Sequence, residues 1–339
     1  MSHYRQPAQH ITQAVLAPAN PTISFSPDRK HFLAIEQPSH PSLDALAKPF
    51  LKLAGSRWDP TRPGYQTTIH GSAIRITDVA SGQTRTVTDL PDGIRIDGVN
   101  WSPDSKWLSV TADLDGGGIG LFVIDLTSLT SREVTGLRLK DSLAATVQWV
   151  RDSTAIYATA VPDDQPPFPL ANTTPSGPNI QESQDKRTRT ATYQDLLTSA
   201  HDEACFAHIT TCQLIRIAVS DLSITKIGQP AMLGSFRQSP DGNFLLVTAL
   251  QQPFSYRVPV HLFARSVQLW TAAGDVIHTL CDIPIMDEIP PQGVPVGPRG
   301  IQWMRLMPAT LIWTEALDGG DPKAEVPHRD RLMRSDVTT

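Results

Sequence analysis

The sequence predicts an all-β fold: a β-propeller of four-stranded antiparallel blades, incomplete, with about four and a half blades present. Three observations carry this. An aromatic residue, a Ser-Pro-Asp turn and an apolar run recur along the chain. A second hairpin follows each copy. Finally, 29 prolines in 339 residues favour short elements and turns, because proline is excluded from helix interiors and central strands.

The first copy is Ser24-Phe25-Ser26-Pro27-Asp28 before Phe32-Leu33-Ala34-Ile35, and the second is Trp101-Ser102-Pro103-Asp104 before Trp107-Leu108-Ser109-Val110. A further copy is Gln238-Ser239-Pro240-Asp241-Gly242 before Phe244-Leu245-Leu246-Val247. Two degraded copies keep the frame: Gln148-Trp149-Val150-Arg151-Asp152 before Ile156-Tyr157, and Gln302-Trp303-Met304 before Leu311-Ile312-Trp313. Proline presets φ near −65° and Asp or Asp-Gly closes the turn, so each copy reads as a hairpin.

The second hairpins run from Ala73–Thr77 to Val87, from Leu121–Leu126 to Val134, from Gln213–Ile217 to Ile227, and from Val267–Thr271 to Ile277. Period-two alternation at Ile74 and Ile76, and at Val267 and Leu269, marks half-buried strands. Trp101 and Trp149 stand 48 residues apart, a spacing that fits one propeller blade. The expected blades are about 22–90, 99–137, 147–230, 232–284 and 301–339, with insertions at 36–72, 161–212 and 251–265. The tail from His328 to Arg334 reads as the start of a next strand. Since a ring closes with 4–8 blades, the expectation is a fragment of a larger propeller whose exposed sheet faces would make it aggregate or fold loosely in isolation.

The second insertion starts polar and proline-rich, from Pro162 to Thr190, which predicts an extended loop. After it, Tyr193, Leu196, Leu197, Ala200 and Ala204 have helical spacing, predicting a short amphipathic helix. Long insertions on a rigid scaffold are where function concentrates; the alternative is a cap that only decorates the rim.

Composition excludes several classes. A net charge of −5 gives no basic footprint for nucleic acid. The three cysteines, Cys205, Cys212 and Cys281, form no C-x-x-C pair and read as free thiols in or near the core. The N-terminus carries no basic start followed by an apolar stretch, and no apolar run reaches the roughly 20 residues of a membrane helix. The expected setting is cytoplasmic, or the plastid stroma if the source is a plant, and the oligomeric state stays open.

Chemistry is sparse. No G-x-S-x-G elbow is present, and Ser56 and Ser176 read as turn serines. The run from Asp115 to Gly120 lies between two strand patterns and reads as a hairpin loop, not a phosphate cradle. Asp318-Gly319-Gly320-Asp321 lacks calcium-loop spacing and reads as a turn. The histidines form no H-x-x-x-H pair, so no metal and no cofactor is expected. Arg187 and Arg189 are the only substrate-facing candidates, as bidentate partners of an acidic substrate; the alternative is a solvated loop charge run.

The inserted motifs carry a resemblance. They are Ser39-His40-Pro41-Ser42-Leu43-Asp44 with Leu51-Lys52-Leu53-Ala54-Gly55, and Thr174-Pro175-Ser176-Gly177-Pro178-Asn179-Ile180-Gln181. Others are Tyr193-Gln194-Asp195-Leu196-Leu197 with Asp202-Glu203, Pro253-Phe254-Ser255-Tyr256, and Trp313 to Asp321. In these the chain resembles the N-terminal propeller of prolyl oligopeptidase family serine peptidases, most of all the glutamyl endopeptidases. The resemblance implies a following α/β-hydrolase domain with a Ser-Asp-His triad, missing from these residues, so no catalytic residue is assigned. It also implies that the propeller gates peptide substrates and is inactive alone. The alternatives are a stand-alone protein-interaction propeller and a propeller enzyme with a central metal.

Overall fold

The computed structural model describes residues 7–170, 192–287, 289 and 292–338. The chain divides into two compact units: Met1–Pro49 with Gln66–Leu137, and Phe50–Tyr65 with Arg138–Thr339. In chain order the first elements are helix α1 (Gln9–Val15), β1 (Thr22–Phe25), β2 (His31–Glu36) and helix α2 (Leu43–Ala47). Then come β3 (Leu51–Leu53), β4 (Ser56–Asp59), β5 (Gly64–Tyr65), β6 (Ala73–Asp78) and β7 (Thr84–Thr86). After them lie β8 (Arg95–Trp101), β9 (Trp107–Asp113), β10 (Ile119–Asp125) and β11 (Ser131–Glu133).

In the first unit, β1-β2-β6-β7 and β8-β9-β10-β11 form two four-stranded antiparallel meanders, the form of propeller blades. Leu33, Ile74, Ile76, Ile96, Leu108, Val110 and Phe122 join them in one apolar core. The glycine run is the β9–β10 hairpin loop, closed by Leu114 N–H donating to the Gly118 carbonyl at 2.8 Å.

In the second unit the blade strands are β12 (Val147–Trp149), β13 (Ala155–Ala160), β14 (Cys212–Ala218) and β15 (Ile224–Ala231), with helix α3 (Ala200–Thr210) between β13 and β14. The next blade has β16 (Leu233–Gln238), β17 (Phe244–Leu250), β18 (Arg265–Thr271) and β19 (Val276–Ile283). Last come β20 (Arg299–Trp303), β21 (Thr310–Ala316) and β22 (Asp330–Asp336). They form two four-stranded meanders and one three-stranded sheet, β20-β21-β22. The tail strand β22 pairs antiparallel with β21 from Thr310↔Asp336 to Ala316↔Asp330. One core, with Tyr157, Phe236 and Trp270, lies between the first two of these sheets, and another, with Leu269, Trp303 and Leu311, lies between the last two.

The repeated turn has one local design. Ser26 Oγ donates to Asp28 at 2.7 Å and accepts the His31 N–H at 3.0 Å. Ser102 and Asp104 repeat this with Trp107, and Ser239 and Asp241 with Phe244. The serine hydroxyls sit 0–2% exposed, so each turn satisfies its buried polar atoms internally. The closing residue is left-handed in four of the five copies: Arg29, Ser105, Ser153 and Gly242 have φ of 60°, 62°, 62° and 83°. These hydrogen bonds hold Asp28 below the usual carboxylate range, the Ser26 hydroxyl contributing most.

Candidate functional site

Inside the second unit, three inserted segments meet. The first, Phe50–Tyr65, is a small antiparallel sheet, β3-β4-β5, where the sequence reading expected only loop. Its tight turn, Ala54-Gly55, has φ of 54° and 83°. Gly55 N–H donates to the Asp195 carbonyl at 2.8 Å, and Val260 N–H donates to the Ala54 carbonyl at 2.9 Å. Two backbone hydrogen bonds therefore tie this turn to both other insertions. A Cβ at Gly55 would lie 2.5 Å from Pro259 Cβ, so glycine is required by conformation and by space. Asp195 also pairs with Lys52 at 3.7 Å and Arg57 at 3.3 Å. Ser56, read as a turn serine, opens β4 directly after this turn.

The helix of the second insertion differs from its expected span. It begins at Ala200, not Tyr193, and runs to Thr210. The reason is capping. Ser199 accepts the Asp202 N–H at 3.1 Å, and Asp202 accepts Thr198 N–H and Oγ at 2.8 and 2.6 Å. Ser199 is the N-cap, and Asp202, in the third helical position, reaches back past it to Thr198. The buried face is consequently Cys205, Phe206 and Ile209, not the Tyr193–Ala204 stripe.

These segments share a core of their own. Trp58 stacks on Tyr65 with centroids 4.2 Å apart. Phe206 meets Trp58, Phe254 and Phe263 edge-on at 6.4, 5.1 and 5.7 Å. Each insertion thus supplies at least one aromatic ring, and Leu53, Leu197, Val258 and Met286 fill the space around them. The signal in sequence was the aromatic content of segments otherwise read as loops.

Beside this core lies a cavity of about 320 Å³ lined by Arg62, Arg138, Lys140, Phe168 and His208 among others. Lys140 is 2% exposed, and its Nζ donates to the His208 carbonyl at 2.7 Å. Burial drives its pKa down to about 8, with the Cys212 thiol opposing and Arg138 reinforcing the shift. Arg62, also buried, pairs with Asp141 at 3.4 Å and donates to the Tyr65 carbonyl at 3.0 Å. His208 is lowered by burial and then by Lys140. Burial pushes the Cys212 thiol up to about 11, which makes it a structural thiol and a poor nucleophile. The cavity can hold a small polar or anionic group.

Arg187 and Arg189, and the Thr174–Gln181 motif, lie outside the described residues. Cys205, Cys212 and Cys281 are free, the first two buried. Asp318 accepts the Gly320 N–H at 2.8 Å and pairs with Arg329, so the Asp-Gly-Gly-Asp segment is a turn between β21 and β22.

One cluster escaped the sequence reading. In the first unit His70, Asp97 and Asp113 bring their donor atoms within 4.8 Å of one another. His70 Nδ1 lies 2.9 Å from Asp97, Nε2 lies 3.6 Å from Asp113, and Arg95 stands 3.7 Å from Asp113. Both imidazole nitrogens face carboxylates, so the three side chains form one polar network. The three residues are scattered in sequence; the β8–β9 register, in which Arg95 opposes Asp113, and the antiparallel bridge Gly71↔Ile96 bring them together. No helix among the described residues is long and apolar enough to cross a membrane.

No family model matches the sequence. Two curated proteins do. The chain is 35% identical over 349 residues to the "Probable glutamyl endopeptidase, chloroplastic" of Oryza sativa subsp. japonica, covering 97% of this chain and 36% of that protein. It is 33% identical over 341 residues to the protein of the same name from Arabidopsis thaliana, covering 96% and 35%. Among solved structures, the acylaminoacyl peptidase of Pyrococcus horikoshii matches with a TM-score of 0.46 at 11% identity, over 94% of this chain and 38% of that one. The β-propeller domain of the Trilobed protease from Pyrococcus furiosus matches at 0.42 and 9%, over 96% and 70%. Along nearly its whole length, therefore, the chain is a relative of the glutamyl endopeptidases, corresponding to about a third of their length, and the resemblance carried by its inserted motifs holds.

Proposed function

We propose that this chain is the substrate-gating propeller of a glutamyl-endopeptidase-like serine peptidase. The observation that carries the reading is the 35% identity along 97% of the chain to a protein named for that activity. Three insertions that fold against one another also favour it. A loop held by its own aromatic core can stand over an opening as a fixed obstacle, whereas separate loops would yield. In this role the propeller supplies no nucleophile. It admits peptides and loose segments to a hydrolase domain and excludes folded proteins.

The test uses the complete gene product. Hydrolysis after glutamate in short fluorogenic peptides, blocked by a serine-reactive fluorophosphonate, is the expected activity. Replacing residues 163–210 by a short turn should leave short-peptide cleavage intact and open the enzyme to folded protein substrates. Absence of glutamate-directed cleavage would sink the peptidase reading. Unchanged discrimination between peptides and folded proteins in the deletion variant would sink the gating role alone.

A further inference from the structure

The two degraded repeats differ from the others in a consistent way. Pro27, Pro103 and Pro240 occupy the turn position after the serine. In the third and fifth blades that position is Arg151 and Arg305. The turns form without proline: Val150 N–H donates to the Ala155 carbonyl at 3.0 Å, and Met304 N–H to the Thr310 carbonyl at 2.8 Å. The arginines therefore do no local work that the fold requires.

What they do is meet. Arg151, Arg305 and Arg237 all line one open cleft of about 640 Å³ in the second unit, with Trp149, Trp303 and Gln238 in its walls. That volume lies within the roughly 300–1,000 Å³ of ligand sites. No acidic side chain lines it. The nearest turn carboxylates are already occupied: Asp152 accepts Thr154 N–H and Oγ at 3.0 and 2.7 Å, and Asp241 accepts Ser239 Oγ and the Asn243 N–H. The Arg151 guanidinium reaches only the Arg305 carbonyl, at 3.4 Å. Among the described residues, the side chains of Arg237 and Arg305 have no ion-pair or hydrogen-bond partner. All three arginines are exposed. A chain of net charge −5 thus gathers three unneutralised guanidinium groups at one opening.

We propose that this cleft binds an acidic stretch of the peptide substrate, its side-chain carboxylates paired with Arg151, Arg237 and Arg305. Guanidinium forks match carboxylates bidentately, and glutamine amides suit a peptide backbone. A polyphosphate chain is disfavoured by the net charge of the chain as a whole. That the occupant is substrate rests on the peptidase reading above; that it is an acidic peptide does not.

The test measures binding without turnover, by fluorescence anisotropy on the complete gene product. The probes are a labelled Glu-rich decapeptide, its Gln-for-Glu counterpart and an oligothymidylate of equal charge. The Glu peptide should bind at least tenfold tighter than the Gln peptide, and more weakly as salt rises. R151Q, R237Q and R305Q should each lose about three- to fivefold, and the triple variant on the order of 30- to 100-fold, as expected for exposed pairs. The single variants, with unchanged melting curves, guard against misfolding. Equal binding of the two peptides, an unaffected triple variant, or preference for oligothymidylate would each overturn the proposal. Binding with no hydrolysis would remove the peptidase reading and leave the acidic-peptide site standing.

Discussion

Phe206→Ala is the sharpest test of whether the three insertions are one folded body. Phe206 is fully buried, 0% exposed, and touches Trp58 from the first insertion and Phe254 and Phe263 from the third. Truncating a buried phenylalanine costs about 3–5 kcal/mol, from lost transfer energy and the cavity left behind. Edge-to-face ring pairs add about 0.5–1.5 kcal/mol each beyond burial, and three are lost here, so the upper part of that range applies. The segments share a core distinct from those between the blades, so the loss should appear as local opening before global unfolding. Native-state hydrogen exchange read by mass spectrometry is the assay. Amides of residues 50–65, 192–211 and 251–264 should all lose protection together, while β8–β11 keep theirs. Loss confined to helix α3 would refute the idea that the insertions share one core.

Three other outcomes follow from the same structure. Gly55→Ala should destabilise by more than about 1 kcal/mol, since φ is +83° and the new Cβ would meet Pro259 at 2.5 Å; equal urea midpoints for variant and parent would contradict this. Ser239→Ala should cost about 1–3 kcal/mol by stripping a 1%-exposed hydroxyl from Asp241 and from the Phe244 N–H, measured by urea unfolding. Lys140 titrates near pH 8 in the folded chain against 10.5 when free. Its buried charge therefore opposes folding below about pH 8, and stability rises as pH increases from there toward 10.5, by at most about 1.4 kcal/mol per pH step. Cys212, raised to about 11, works against this above pH 9, so the window to watch is pH 8–9. Lys140→Met should abolish the rise; parallel pH profiles for the two proteins would be the contrary result.

The short-range order was legible because it is locally caused. A serine, a proline and an aspartate in succession close their own hydrogen bonds, and alternating apolar residues declare a half-buried strand. Those signals located the hairpins of each blade. Helix α3 was misplaced because apolar spacing from Tyr193 to Ala204 competes with the Ser199 N-cap, and the cap won. The β3-β4-β5 sheet was missed because strands of two to four residues carry no periodicity to read.

By itself, then, the sequence determined the fold class, the repeat frame and the kinship with the glutamyl endopeptidases, since each rests on residues close together in the chain. Only the tertiary structure decided that three distant insertions share the Trp58–Phe206–Phe254 core. It alone gathered Arg151, Arg237 and Arg305 at one cleft, and His70, Asp97 and Asp113 into one network. These groups come from separate blades or separate loops. Their meeting depends on sheet register and on the packing of one blade against the next, which no local pattern encodes.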